Sequence, residues 1–381
     1  MTTSLVSWSF PTRIVFGAGA GREVGAEASK LGAKRALIVT DKGVVSAGLL
    51  GPLEQSLKAS GIESSVFADV LGNPVEKNVH DGVRAYREAR ADIVIAIGGG
   101  SPLDVGKLIR LGLHHERPLA DYDDAIGGDR HITSNVPPMV AIPTTAGTGS
   151  EVGRSGVVTL DVNHRKTVIF SPYLLANVAL LDPELTRTMP AWLTAATGFD
   201  AFTHCLEAYV AKGDHPMADG IALEGMRLVA AHLLRAVSHG DDLEARGGML
   251  KASMMGAVAF QKGLGACHSL AHPLSSECGT HHGLANALGL PSVIEFNASS
   301  APEKYARVAR ILGEQESASK CADAVRALRK RAGLPERLRD SNVPENALDR
   351  LADLAFQDAC HACNPRSCSR DDLRKLYQAS F

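Results

Sequence analysis

Short apolar runs and helical patterns alternate along the first half of the sequence, and this alternation restricts the fold most. The run Ile93-Val-Ile-Ala-Ile97 is apolar at every position, as a strand covered by helices on both faces must be. Similar runs lie at 13–16, 36–40, 65–68 and 139–142, and helical patterns lie between most of them at 21–31, 49–60, 78–89 and 102–114. This order predicts a doubly wound, mostly parallel α/β sheet.

The second half of the chain has a different character. From Pro190 to about Ala259, Ala, Leu and Met dominate with helical spacing, and such patterns resume at Pro302. The Asp182-Pro183 and Met189-Pro190 steps disfavour a continuous helix where the composition changes. We therefore predict an α/β domain at residues 1–187 and an all-helical domain at 188–381, for which 381 residues provide enough chain.

The composition excludes several classes of protein. Forty basic residues balance forty-two acidic ones without any basic run, so we expect no nucleic-acid partner. No apolar stretch reaches the roughly 20 residues of a membrane helix, and the first residues lack the pattern of a signal peptide. Seven thinly spread cysteines do not form a disulfide framework. We expect a cytoplasmic protein without membrane association.

Two glycine-bearing loops follow predicted strands. The loop Gly98-Gly-Gly-Ser101 opens a helix whose backbone N–H groups are accessible to a phosphate, although it matches neither the dinucleotide fingerprint nor a Walker loop. The loop Pro143–Glu151 adds four hydroxyls and further backbone amides. Two such loops at strand ends favour nucleotide binding, while a plain strand-to-helix turn is the alternative for the first.

Asp41 directly follows the apolar run 36–40. A carboxylate at such a strand end accepts a hydrogen bond from a ribose 2′-hydroxyl and repels a 2′-phosphate, which predicts a preference for NAD over NADP. Its alternative role is to cap the turn or helix that starts at Lys42-Gly43. The sequence leaves both roles open.

Histidines and a carboxylate cluster in the helical half. Asp200 and His204 lie four residues apart, His268 and His272 repeat this spacing, and the pair His281-His282 follows. One carboxylate with three imidazoles is a nitrogen and oxygen donor set for a divalent first-row metal, and the loaded site would keep about one net positive charge. Such a site acts as a Lewis acid, whereas a structural zinc site more often uses cysteine. Each histidine alone is more often a core or capping residue.

These motifs, in this order along nearly the whole chain, resemble those of the iron-containing (group III) alcohol dehydrogenase family. The matching segments are Gly98–Asp104, Pro143–Glu151, Gly198–His204, Phe260–His268, Ala271–Pro273, His282–Asn286 and Asn364-Pro365-Arg366. The resemblance implies a dehydroquinate synthase-like architecture, in which a nucleotide-binding α/β domain and an all-helical metal domain enclose a cleft.

The resemblance also assigns site residues. It implies Asp200, His204, His268 and His282 as metal ligands, with His281 one residue away as the alternative fourth ligand. It places His272 as a nearby histidine that assists proton movement; a core role is the alternative. Expected NAD contacts come from Asp41, Asn73, Gly98, Gly99, Gly100, Ser101, Asp104, Thr144, Thr145, Thr148 and Lys166.

The implied activity is that of a metal-dependent, NAD(H)-linked alcohol dehydrogenase or aldehyde reductase. Hydride would pass between nicotinamide and a small primary alcohol or ω-hydroxy acid whose oxygen binds the metal, with Fe(II) expected and Zn(II) as the alternative. We also expect a homo-oligomer, a dimer or larger. The alternatives are a dehydroquinate synthase-like lyase, a metal-free maleylacetate reductase and a non-catalytic NAD-binding protein.

Overall fold

The computed structural model describes residue 10 and residues 12–163 and 165–381. Within this part, the chain divides into two compact units. An α/β unit comprises residues 12–145 and 149–188, and a helical unit comprises residue 10, residues 146–148 and residues 189–381. The segment 146–148, in the second glycine loop, thus belongs to the helical unit although the residues on both sides of it belong to the α/β unit.

The α/β unit is built on a parallel sheet, and this confirms the predicted fold class. Its strands are β1 (Arg13–Phe16), β2 (Arg35–Val39), β3 (Glu63–Phe67), β4 (Ile93–Gly98), β5 (Met139–Pro143) and, after a separate pair, β8 (Val178–Leu181). They lie in the order β1-β8-β5-β4-β2-β3, and each neighbouring pair is parallel. From β2 the chain continues outward to β3, and from β4 it continues to β5 on the other side. The topological switch point is therefore between β2 and β4, where open α/β sheets bind ligands.

Helices cover both faces of this sheet. They are α1 (Val24–Lys30), α2 (Lys42–Ser46), α3 (Gly51–Ala59), α4 (Glu76–Glu88) and α5 (Gly100–His114). Along β4, Ile93, Ile95 and Ile97 belong to one hydrophobic cluster, while Val94 and Ala96 belong to another. Alternate side chains thus pack on opposite faces, which explains why this strand is apolar at every position.

A separate antiparallel pair of strands lies between β5 and β8 along the chain. The strands β6 (Ser155–Thr159) and β7 (Lys166–Phe170) form this pair. Both strands alternate between buried and more exposed residues, and Val158 and Ile169 are fully buried. Burial on one face leaves only short alternation in the sequence, which is a weaker signal than a wholly apolar run.

The helical unit consists of α6 (Ala191–Val210), α7 (Pro216–Ser238), α8 (Leu243–Ala259), α9 (Ala266–Cys278), α10 (His282–Asn297), α11 (Pro302–Ile311), α12 (Ala318–Arg331), α13 (Leu348–Gln357) and α14 (Arg370–Ser380). From Thr194 to its end, α6 is buried on all sides. A Cβ atom at Gly283 would lie 2.1 Å from the carbonyl oxygen of Ala196, so glycine allows α10 to approach α6 closely. Within the described residues, no helix has the length and apolar character needed to span a bilayer.

Candidate metal centre and nucleotide-binding loops

Four predicted metal ligands converge inside the helical unit. Asp200 and His204 lie one turn apart on α6, His268 lies in the first turn of α9, and His282 is the first residue of α10. The Nε2 atom of His282 lies 3.4 Å from Oδ1 of Asp200, and the Nε2 atoms of the other two histidines lie 3.8 Å from the same oxygen. Three helices therefore bring one carboxylate and three imidazoles close together. Donor atoms of Asp200, His204 and His268 lie within 4.8 Å of one another, and His282 adjoins this group through Asp200.

The backbone fixes the orientation of the His204 ring. Its Nδ1 atom lies 3.3 Å from the carbonyl oxygen of Gly147, in the segment 146–148 of the helical unit. A proton on Nδ1 that donates to this carbonyl leaves the Nε2 lone pair for a metal. Burial lowers the pKa of His204 to about 4, so the imidazole is neutral, the state that a metal requires.

Buried negative charge surrounds the histidines. Asp200 and Glu207 are each 2% exposed, and within the described residues their ion pairs are formed with histidines alone. Burial lowers the pKa of His268, but the hydrogen bond and charge of Glu207, together with Asp200, outweigh this effect and raise the pKa. Two buried carboxylates that pair with histidines but with no Lys or Arg among the described residues are costly unless a further cation compensates them. The donor set and its charge therefore fit a divalent metal.

Two buried residues at this centre were not predicted from the sequence as site residues. Glu207 follows Asp200 by seven residues and His204 by three, a spacing that places all three on one face of α6 and is a usable signal. Asn286 lies one turn after His282; its Nδ2 atom donates to Oδ1 of Asp200 at 2.8 Å. The same atom lies 3.3–3.4 Å from Nε2 of His282 and of His268. Asn286 thus holds the carboxylate oxygen at which the histidines converge.

The structure also separates the two adjacent histidines at the start of α10. His282 faces Asp200, whereas the ring of His281 packs edge-on against Trp192, with 5.7 Å between ring centroids. The geometry therefore favours His282 over His281 as the fourth ligand.

His272 lies beside this centre rather than at its focus. Its ring stacks on that of His282 with 5.3 Å between centroids, and its Nδ1 atom lies 2.7 Å from Oδ2 of Asp358. The side chain of His272 remains 26% exposed. Burial raises the pKa of Asp358, but His272, the Ser269 hydroxyl and the Cys360 backbone N–H outweigh this effect and lower the pKa below its ordinary value. Asp358 was not anticipated from the sequence.

In the α/β unit, the predicted phosphate loop lies at the switch point. The helix α5 begins at Gly100, with one residue, Gly99, between it and the end of β4, and the backbone N–H of Thr144 donates to the carbonyl of Gly98 at 2.9 Å. Gly98 has a φ of +150°, and a Cβ there would lie 2.6 Å from Pro102, so glycine is required. The structure thus brings Gly98, Gly99, Gly100 and Ser101 together with Thr144 and Thr145. Thr148 belongs to the helical unit.

Asp41 caps a helix at the end of β2. Its Oδ1 atom accepts a hydrogen bond from the backbone N–H of Val44 at 2.9 Å and thereby caps α2. The capping role considered from the sequence is therefore present, and the carboxylate lies at the switch-point end of the sheet. Nearby, the Ser101 hydroxyl donates to the Gly72 carbonyl at 2.7 Å, which brings the exposed Asn73 loop next to α5.

Asp104 forms internal contacts. Its Oδ1 atom accepts from the Ser150 hydroxyl at 2.5 Å, and its Oδ2 atom accepts from the Val157 backbone N–H at 3.3 Å. The buried Lys107 also donates to the Ser150 hydroxyl, at 2.7 Å. Lys166, the first residue of β7, lies near enough for its charge to lower the pKa of Asp104, although burial outweighs it and raises that pKa. This network ties α5 to the second glycine loop.

The parallel α/β unit has a phosphate-type loop, and the helical unit has a candidate metal centre of Asp and His residues. Together these features indicate a metal-dependent, nucleotide-linked enzyme. Residues 11–183 match the model of the iron-containing alcohol dehydrogenases, and residues 194–381 match the C-terminal model of the Fe-containing alcohol dehydrogenase family. The chain belongs to this family. The predicted family and activity are thereby confirmed: the protein is an NAD-dependent alcohol dehydrogenase that also reduces aldehydes, and it depends on a divalent metal.

Relatives match over the full length of the chain. The 4-hydroxybutyrate dehydrogenase of Cupriavidus necator is 41% identical and covers 97% of this chain and 98% of its own. The 1,3-propanediol dehydrogenase of Klebsiella pneumoniae is 37% identical and covers both chains completely. Among solved structures, a 1,3-propanediol oxidoreductase superposes with a TM-score of 0.96 at 38% identity and covers 99% of this chain and 100% of its own.

Proposed function

We propose that this protein interconverts a small primary alcohol or ω-hydroxy acid with its aldehyde, using NAD(H) and a divalent cation held by Asp200, His204, His268 and His282. Fe(II) is the proposed metal, with Zn(II) as the alternative. The observation that carries the proposal is the convergence of three imidazole Nε2 atoms on Oδ1 of Asp200. The hydroxy-acid and diol dehydrogenases among the relatives support this substrate class.

The chemistry divides between cofactors and protein. When bound, the divalent cation supplies Lewis acidity that stabilises negative charge on the substrate oxygen, and NAD supplies the hydride acceptor. The protein's own task is to keep the imidazoles neutral and oriented. Burial keeps the imidazole of His204 neutral, and the Gly147 carbonyl orients its ring. The complete ligand set argues against a metal-free reductase.

We assign the proton transfer to His272. Alcohol oxidation releases a proton, and His272 is the partly exposed imidazole beside the buried histidines. Its Nδ1 proton donates to Asp358, which leaves Nε2 to accept a proton from the substrate side and pass it to solvent. The alternative is that His272 only packs against His282 and takes no part in proton transfer.

We assign NAD binding to the switch-point loops. The backbone N–H groups of 98–101 at the start of α5 suit the diphosphate, and the Asp41 carboxylate suits a ribose with a free 2′-hydroxyl. The further proposed contacts are Asn73, Thr144, Thr145, Thr148 and Lys166, whereas the internal bonds of Asp104 support a role in fixing the second loop.

Two further expectations remain proposals. The seven cysteines, all within the described residues, form no disulfide, which supports a reducing compartment such as the cytoplasm. We also propose a homo-oligomer, a dimer or larger.

The test compares Asp200→Ala and His282→Ala with His281→Ala. Each protein is purified without air, its metal content is measured, and NADH formation is followed with a panel of short primary alcohols and ω-hydroxy acids. We expect Asp200→Ala and His282→Ala to lose metal and turnover together, while His281→Ala retains both. Full metal content in Asp200→Ala would refute the ligand assignment, and no turnover of any panel member by the metal-loaded wild type would refute the substrate class.

A further inference from the structure

Glu207 joins two of the helices that build the metal centre. Its carboxylate lies on the face of α6 that also carries Asp200 and His204. The Oε2 atom lies 2.6 Å from Nδ1 of His268, and the Oε1 atom accepts a hydrogen bond from the backbone N–H of Cys267 at 2.7 Å. One buried side chain on α6 thus contacts both a proposed ligand and the backbone at the start of α9.

The backbone next to this carboxylate leaves no room for a larger side chain. A Cβ atom at Gly265, which precedes α9, would lie 2.7 Å from Oε1 of Glu207, so a larger residue there would displace the carboxylate. The neighbouring N–H of Ala266 is satisfied separately, by Oδ1 of Asn364 at 3.2 Å. Two side chains therefore cap the start of α9, and of these two, only Glu207 is bonded to a histidine ring.

The contact with His268 determines which ring nitrogen is available. A carboxylate accepts, so Nδ1 must carry a proton. In the neutral imidazole that a metal requires, Nε2, which lies 3.8 Å from Oδ1 of Asp200, then keeps its lone pair. Ligating histidines in general depend on such a partner for their orientation and basicity.

The carboxylate also changes the charge of the loaded centre. The sequence indicated one anionic ligand and hence one net positive charge with a divalent cation. Glu207 adds a second buried negative charge, and its ion pairing within the described residues is with His268 alone. The two carboxylates and a divalent cation then balance to zero, which removes the cost of an uncompensated buried charge.

We propose that Glu207 is a positioning residue that fixes His268 as an Nε2 ligand and completes the charge balance of the centre. The inference rests on the proposed ligand set. Its consequence is that the metal affinity depends on a residue that does not itself touch the metal.

The test is the dissociation constant for Co(II) and Zn(II), measured by chelator competition on Glu207→Gln. Glutamine keeps the shape and can still accept from the Cys267 N–H, but it lacks the charge. We expect roughly 10- to 100-fold weaker binding. We also expect a changed Co(II) absorption spectrum and a metal-free melting temperature close to that of the wild type.

Asn364→Ala is the matched control, because it removes the other cap of α9 and, among the described residues, the Asn364 side chain is hydrogen-bonded to no histidine. We expect it to lower the melting temperature and leave metal affinity within a few-fold of the wild type. If Asn364→Ala weakens metal binding as much as Glu207→Gln does, support of the helix end explains the effect and the proposal is wrong.

Asp200→Ala separates this inference from the proposed function. Loss of metal in Asp200→Ala with wild-type affinity in Glu207→Gln would overturn the role of Glu207 alone, whereas metal retained in Asp200→Ala would overturn both. If Glu207→Gln does not fold, Glu207→Asp takes its place: the shorter carboxylate keeps the charge but not the reach to His268. Weaker binding then supports positioning, and unchanged binding contradicts it.

Discussion

The imidazole of His272 is bonded to the carboxylate of Asp358, with 2.7 Å between Nδ1 and Oδ2. The other carboxylate oxygen accepts from the Ser269 hydroxyl at 2.7 Å and from the Cys360 backbone N–H at 2.9 Å. These donors keep Asp358 ionised, since its pKa lies below the ordinary range. The pair thus resembles the arrangement in which a buried carboxylate orients a histidine for proton transfer.

Asp358→Asn should slow turnover while the metal content stays at the wild-type level. An amide no longer enforces a proton on Nδ1, so His272 loses its fixed orientation. We expect a decrease in kcat of about 10-fold, a part of the 10²–10⁴-fold that general acid–base catalysis contributes. Initial rates of NADH formation and metal analysis provide the check. Ser269→Ala, which leaves the bond to His272 intact, should show a smaller loss; an unchanged kcat in Asp358→Asn would exclude the role of the pair.

Asp41→Ser should relax the cofactor preference without unfolding α2. Serine still caps the Val44 N–H, a contact worth about 1 kcal/mol, but it does not repel a 2′-phosphate. We expect the ratio of kcat/KM for NADP to that for NAD to rise at least about 10-fold, which corresponds to about 1.4 kcal/mol. Steady-state kinetics with both cofactors measure this ratio. A wild-type preference for NADP would contradict the role assigned to Asp41.

Gly283→Ala should destabilise the helical unit and weaken metal binding. The new methyl group would meet the Ala196 carbonyl oxygen at 2.1 Å and push α10 away from α6, at a cost of about 1–3 kcal/mol. Gly289→Ala on the same helix is the control, because its Cβ would have 3.6 Å to its nearest neighbour. Alanine there should be neutral or stabilising by up to about 1 kcal/mol. Thermal unfolding with and without metal distinguishes the two; equal effects would argue against the close approach.

Glu151→Gln should change how stability depends on pH. Burial raises the pKa of Glu151 to about 7, and within the described residues its Oε1 atom accepts no hydrogen bond. Between pH 4.5, the ordinary pKa of the group, and about pH 7, the folded state binds more protons than the unfolded state. The protein therefore becomes less stable as the pH rises through this interval, by up to about 1.4 kcal/mol per pH unit. Glutamine removes that loss. The stability gain of the variant, measured by denaturation at several pH values, should therefore grow from pH 4.5 to 7 and then level off; a gain independent of pH would contradict the prediction.

The sequence predicted what depends on near neighbours along the chain. An apolar residue at every position of 93–97 required cover on both faces, and β4 has it. The four-residue spacing of Asp200 and His204 placed both on one helix face, where the structure has them. Glu207 could have been predicted in the same way, because it lies three residues after His204 and therefore on the same face of α6.

The structure decided what depends on contacts between distant segments. The sequence left His281 and His282 as alternatives, and the approach of α10 to α6 through Gly283 is what directs His282 toward Asp200. The sequence also indicated no partner for His272, because Asp358 lies 86 residues further along the chain. Local periodicity records which face of a helix is buried, but not which helix covers it. The packing of α6, α9 and α10 therefore determines the proposed metal centre, since only that packing brings its donors from three segments close together.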